Sequence, residues 1–377
     1  MKKIHVLLSL VLILTFAGGF YSGIMYSAKS SEQTLHIDNP KGTHKAPFEE
    51  TKEYDTKVQS KVLIGYVQDF RDPETINYSD MTHVIFSFAH PLPDGRLSLN
   101  GIHALNNLKK MVSLAHQHNT KVMLAIGGWF HIWGGESYPY FKEAIMNPDS
   151  RTKLIQELIN ITERENLDGI DIDFEYPRSM EEAQSLAAFT KELSSGLHNQ
   201  SKELSIAVYA KVHSSSGTEV KSVFYDHSMF ANVDHVNIMA YDGHWDGGYN
   251  AANLSPYSYA ENIVNYWSEL FSAYQLDKDK LVLGIPIYAQ PEKQEQKQIS
   301  YKSIIDNNPA NAENDSVQIN GMTYYYNGES TVEKKTLLAL DHGFGGMMLW
   351  EAGHDALGEH SITRTIAEVL EAKYVLK

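Results

Sequence analysis

LDGIDIDFEYP, residues 167–177, is an apolar segment whose last three acids fall on alternate residues. Asp171, Asp173 and Glu175 are spaced by two, so on an extended chain they leave one face together, while Phe174 leaves the other. Acids confined in one space repel one another. At least one of their pKa values is then raised, and Glu175, the outermost, is placed to donate a proton. A single acid in a strand would read as a solvated face; three on one side of an otherwise apolar strand do not. Carboxylate clusters also bind calcium or magnesium, but no histidine or fourth ligand lies nearby in the sequence.

Outward from this segment the same kind of apolar run recurs. VLIGYV (62–67), HVIFSF (83–88), KVMLAIGG (121–128), GIDIDFEY (169–176), LSIAVYA (204–210), HVNIMAYD (235–242), LVLGIPIYA (281–289) and GGMMLWE (345–351) make eight. Continuous apolar runs of this length suit strands of a parallel sheet covered on both faces. Between them lie segments with helical spacing, among them HALNNLKKMVSLAHQH, RTKLIQELINITEREN, EEAQSLAAFTKELSSGLHNQ and YSYAENIVNYWSELFSAY, and SITRTIAEVLEAKYV follows the last run. Eight strand–helix units predict an α/β fold, a closed (β/α)8 TIM barrel over 61–377, in which the acid-bearing face points inward and reactive groups sit at the C-terminal strand ends. The polar stretch near 290–330, with KQEQKQ and NNPANAEND, is expected to form a loop or a small β-rich insertion.

The chain carries a net charge of −15, which opposes binding to a phosphate backbone and so argues against nucleic acid, yet suits a neutral polysaccharide. There is no cysteine, which excludes thiol or disulfide catalysis and Cys-ligated metal. Residues 1–5 are basic and Val6 to Tyr26 carry no charge, the layout of an export signal or a membrane anchor over 1–28. Ala17–Gly19 and Ser27–Ala28 offer cleavage sites. Residues 29–60 are polar and read as a stalk or linker. The expected location is therefore outside the cell, secreted or held on the outer face of the membrane.

LDGIDIDFEYP resembles the Asp-x-x-Asp-x-Asp-x-Glu signature of the family 18 glycoside hydrolases, with Asp168, Asp171, Asp173 and Glu175 in its acidic places. MAYD (Met239, Tyr241, Asp242) is similar to the family's sixth strand, and GGMMLWE places Trp350 at the pocket-floor tryptophan of the eighth. LGIPIYA resembles strand seven, while Tyr66 in GY, Phe88 in FSF and Trp129 in GGW match strands one, two and three. The likeness runs from about residue 61 to 373, in the family's order.

The resemblance implies retaining, substrate-assisted hydrolysis of β-1,4 bonds between N-acetylglucosamine units in chitin or chito-oligosaccharides. Glu175 would protonate the glycosidic oxygen, and the sugar's own acetamido carbonyl would attack the anomeric carbon. Asp173 would hold the acetamido N–H and the resulting cation, with Asp171 behind it sharing its proton. Tyr241 would donate to the acetamido oxygen, Asp242 would help distort the ring, Trp350 would floor the pocket, and Met239 belongs to the same binding set. The reaction implied uses no cofactor and no metal. Flat rings stack on pyranose faces, which makes Trp129, Trp133, Trp245 and Tyr176 candidate sugar contacts; YDGHWDGGYN around Trp245 is too glycine-rich and polar for a core. An endo-β-N-acetylglucosaminidase of N-glycans or peptidoglycan would share this chemistry. A non-catalytic chitin-binding lectin is the reading from another class, and such members lose the glutamate or the neighbouring aspartate, both kept here. Three places depart from the pattern: Ala125 stands where the family has serine, Phe174 where tryptophan is usual, and Gln290 near the usual arginine of strand seven.

Overall fold

The computed structural model describes residues 61–375 apart from Ser215. The segments read as signal or anchor and as stalk lie outside the described residues. All eight apolar runs are strands of one barrel, numbered β1 (Val62–Gln68), β2 (His83–Pro91), β3 (Lys121–Gly127), β4 (Gly169–Asp173), β5 (Glu203–Tyr209), β6 (His235–Met239), β7 (Leu281–Pro286) and β8 (Gly346–Trp350). Every barrel pair is parallel, and the barrel closes where Val62–Gly65 of β1 run beside Gly346–Leu349 of β8.

Period-2 alternation sorts the side chains into two cores. Leu63 and Val67 of β1 point outward into the layer between strands and helices, whereas Ile64 and Tyr66 join Ile85, Met123, Ala125, Val282 and Met348 inside the barrel. Ile170 and Ile172 of β4 likewise face outward, which leaves Asp171 and Asp173 facing in. Phe174 goes outward too, stacked on Tyr138 at 5.6 Å and packed on Phe141, so the missing tryptophan is a change of packing.

The helices are α1 (Gly101–Gln117), α2 (Tyr138–Met146), α3 (Pro148–Arg164), α4 (Met180–His198), α5 (Tyr257–Ala273), α6 (Tyr301–Asn307), α7 (Glu329–Asp341) and α8 (Ile362–Val375). Their starts follow capping chemistry. Ser179 accepts from the Glu182 amide ahead of α4, and the Glu182 carboxylate in turn accepts from the Arg178 amide. This fixes the chain that leaves Glu175. Trp267 of α5 is fully buried and donates its Nε1–H to the carbonyl of Ala210 at 3.0 Å, tying the helix ring to the end of β5.

Two crossovers correct the expectation of a helix after every strand. Among the described residues the β1–β2 link holds only the 3₁₀ turn Pro73–Thr75, and the β5–β6 link holds His227–Asn232 as its 3₁₀ turn and no α-helix. The first stretch (69–82) holds three aspartates and a proline, the second (210–234) five serines, and both lack the 3.6 period, so they cross the sheet without helical propagation. Between β7 and β8 the chain forms a small antiparallel sheet from Ile299–Ser300, Tyr288–Pro291, Met322–Tyr325 and Ser316–Ile319, in that order. Among the described residues no helix is long and apolar enough to cross a membrane.

Candidate active site

The C-terminal strand ends surround a cavity of about 730 Å³. Its lining brings together Tyr66, Trp129, Asp173, Glu175, Tyr176, Met239, Tyr241, Asp242, Trp245 and Trp350, all read from the sequence as site residues. The lining comes from the ends of six of the eight strands and the loops that follow them, so the cavity depends on the closed fold. Phe88 is not in the lining. It lies behind the floor, its ring 5.9 Å from that of Trp350, which also meets Tyr66 edge-on at 5.7 Å. Asp171 lies one step below the cavity, with no exposed surface. Asp168 is at the other end of the strand: its carboxylate accepts from the Val122 amide and pairs with His116, both at 2.8 Å, and so registers β4 on β3. Trp133 is half exposed and meets His131 and Tyr140 edge-on beyond the lining.

The three acids form a column from the barrel interior to the mouth. Asp171 accepts hydrogen bonds from the Tyr66 hydroxyl at 2.8 Å, the Ser205 hydroxyl at 2.5 Å and the Asn237 amide at 3.2 Å. Burial pushes its pKa up to about 6, and these donors hold it from rising further. Asp173 is buried, and one carboxylate oxygen has no hydrogen-bond partner among the described residues. Burial, then the charges of Glu175 and Asp171, raises its pKa well above the usual carboxylate range. Glu175 follows the strand end; burial and then the Asp242 charge bring it to about 7. A group in that position holds a proton at neutral pH and can release it.

Opposite the column stand Tyr241 and Asp242. Among the described residues the Tyr241 hydroxyl has the Met348 sulfur, 4.0 Å away, as its hydrogen-bond partner and is otherwise turned to the cavity. Asp242 takes a left-handed backbone, φ 62°, which a short polar side chain tolerates, and accepts a hydrogen bond from the Tyr288 hydroxyl. Gln290, at the place of the usual arginine, is turned away: it donates to the Tyr249 hydroxyl at 2.9 Å and accepts from Gln298. Gly127, φ 109°, lets β3 run against β4, because a Cβ there would lie 2.2 Å from the Asp173 carbonyl oxygen.

Several contributors went unread in the sequence. Ser205 and Asn237 are polar residues inside apolar runs, and their parity puts them inside the barrel. That parity was their signal. Ala125 and Ser205 flank Asp171 in register, on β3 and β5 respectively. The hydroxyl missing at Ala125 is thus supplied from the opposite neighbour. Phe130, Tyr209 and Asp246 also line the cavity, placed by loops and a strand end without a local motif. Removing the donor makes a first test. Ser205→Ala should destabilise the protein by about 1.5–3 kcal/mol at pH 8, the scale of a hydrogen bond to a charged group. The folded-state pKa of Asp171 lies above its unfolded value and rises further in the variant. The deficit therefore grows as pH rises through about 6 and shrinks at pH 4–5, where the carboxyl is protonated. Denaturant unfolding at both pH values checks it, and Ala125→Ser on that background should restore part of the loss.

The family model "Glycosyl hydrolases family 18" matches residues 62–355. Among curated proteins, probable chitinase 10 of Drosophila melanogaster is 28% identical over 237 residues, covering 58% of this chain and 10% of that protein. The matched stretches span 56% and 59% of two further curated relatives, so the chain corresponds to part of these longer proteins. Among solved structures, the GH18 chitinase ChiB from the chitin utilization locus of Flavobacterium johnsoniae superposes with a TM-score of 0.69 at 24% identity, covering 83% of this chain and 95% of that one. A class V chitinase from Nicotiana tobaccum, solved in complex with NAG4, gives 0.66 at 19% identity over 82% and 99%. At such identities the structural likeness is one of fold.

Proposed function

The chain belongs to the glycosyl hydrolases family 18, and from that premise we propose that it hydrolyses β-1,4 bonds between N-acetylglucosamine units of chitin or chito-oligosaccharides with retention at the anomeric carbon. One observation carries this reading: a column of three acids ends at Glu175, whose pKa is brought to about 7 inside a cavity floored by Trp350 and faced by Tyr241. The tobacco relative's NAG4 complex supports the choice of glycan.

The chain's residues divide the work by position. Glu175 gives its proton to the glycosidic oxygen as that bond breaks. The acetamido oxygen of the same sugar closes on the anomeric carbon, forming a cyclic oxazolinium ion. Tyr241 donates a hydrogen bond to that oxygen, and Asp173, as a carboxylate, accepts from the acetamido N–H and balances the positive charge. For this Asp173 gives up its resting proton to Asp171, whose three donors suit it to hold charge until then. Glu175, now ionised, takes a proton from water as the water opens the ring, and the original configuration returns. Trp350 offers a flat apolar face to the sugar, with Trp129, Trp245 and Tyr176 along the cavity wall. The basic start and uncharged stretch at 6–26 support action outside the cell, in secreted or membrane-anchored form.

A pH profile tests the acid's assignment. The proton donor must be protonated, so kcat/KM should fall about tenfold per pH unit above neutrality. The Asp242 charge helps raise the Glu175 pKa. Asp242→Asn should therefore move this alkaline limb to lower pH, measured on a soluble N-acetylglucosamine oligomer. A limb that stays in place excludes Asp242 as the group tuning the acid.

A further inference from the structure

The N-terminal end of the barrel, opposite the cavity, gathers a second set of chemically active side chains. His83, Glu203 and His235 are the first residues of β2, β5 and β6, and their ligand atoms all lie within 4.8 Å of one another. Both imidazoles converge on a single carboxylate oxygen. Nε2 of His83 lies 2.9 Å and Nε2 of His235 3.7 Å from Oε2 of Glu203. Two of the three remaining polar atoms of the group are held from outside. Oε1 of Glu203 is paired with the Lys121 ammonium, and Nδ1 of His83 meets the Thr82 hydroxyl at 2.8 Å, which is itself anchored on the Leu63 backbone. His235 Nδ1 is buried without a hydrogen-bond partner among the described residues.

We propose that this end of the barrel is a binding site for a divalent transition metal of the zinc class, with His83 Nε2, His235 Nε2 and Glu203 Oε2 as its protein ligands. The donor set is two nitrogens and one monodentate oxygen, a combination zinc accepts with water in the fourth place. Bond lengths of about 2.0–2.2 Å in a tetrahedron put neighbouring ligand atoms about 3.4 Å apart, and the two observed separations bracket that value. Small rotations of His83 and His235 about their side-chain bonds equalise them. The Thr82 and Lys121 contacts are the outer partners that orient a ligating imidazole and a ligating carboxylate. Glu203 and His235 keep 24% and 14% of their side-chain surface, which leaves solvent a path to the open position. The site would link three strands across the barrel floor, two of them not neighbours of the third. It is independent of the hydrolytic reading, and its role is to brace the fold.

The test is a titration of the full chain, first stripped by chelator. Co2+ is added while visible absorption is followed, and Zn2+ is then used to displace it. One equivalent of Co2+ should bind with the intense ligand-field bands of a four-coordinate ion, and Zn2+ should raise the unfolding temperature. His235→Ala should weaken uptake at least about a hundredfold and lose the thermal shift. His235→Asn, which keeps a polar side chain of smaller reach, should do the same. Circular dichroism and the metal-free unfolding temperature certify that both variants are folded. Wild-type protein that takes up neither ion overturns the proposal, as does unchanged uptake by a folded His235 variant. The contacts then reduce to an ion-pair network centred on Glu203.

Discussion

Glu175→Gln should lower the turnover of N-acetylglucosamine oligomers about a thousandfold or more, with binding of the same oligomers unchanged. The amide keeps the shape of the carboxyl and can still donate a hydrogen bond, but it has no proton to give. Positioned general-acid catalysis contributes up to about 10⁴-fold, and a thousandfold loss is about 4 kcal/mol of transition-state stabilisation. The effect belongs in kcat because protonation of the leaving oxygen takes place only in the transition state. Initial rates with a soluble oligomer, alongside calorimetric binding to the variant, separate the outcomes. Undiminished hydrolysis would remove Glu175 from the role of donor. Tight binding by a wild-type chain without turnover would make the barrel a lectin.

Asp173→Asn is expected to cost about a hundredfold to a thousandfold in kcat, or about 3–4 kcal/mol, with little change in KM for longer oligomers. Asp173 lies one step inside Glu175, in surroundings that raise its pKa well above the usual range. A buried carboxylate is expensive, and its negative charge is useful only once a positive one forms beside it. The asparagine retains an oxygen for the acetamido N–H but lacks that charge. The loss should be confined to substrates that react through their own acetamide. If the variant hydrolysed such substrates at the wild-type rate, the oxazolinium pathway would be excluded while the fold and the family would stand.

What could be read from the residues in order was whatever repeats along a strand. Alternation placed Asp171 and Asp173 inside and Phe174 outside, and eight apolar runs became eight barrel strands. Relations between strands were not readable, because register is set by the closed sheet rather than by local pattern. The partnership of Ser205 and Asn237 with Asp171 is of this kind, and it resolves the question raised by Ala125. Phe88 shows the same limit. Its strand was identified, but only the packed barrel reveals that it stands behind Trp350. The crossovers after β1 and β5 carry no α-helix because their sequence has no 3.6 period, so the regular alternation of strand and helix does not extend to them.

The junction of β1 with β8 also governs when the pocket becomes complete. Tyr66 and Trp350 touch across that seam, although one lies near the start of the barrel sequence and the other near its end. As the chain emerges from the ribosome, Val62–Gly65 must wait with one edge bare until Gly346–Leu349 have been made. The floor of the pocket is therefore the last part assembled, and a chain interrupted between β4 and β8 has the acids without the surface on which a sugar would rest. Closure of this seam completes the pocket. With no cysteine in the chain, that step needs no oxidant and can be completed in any redox compartment.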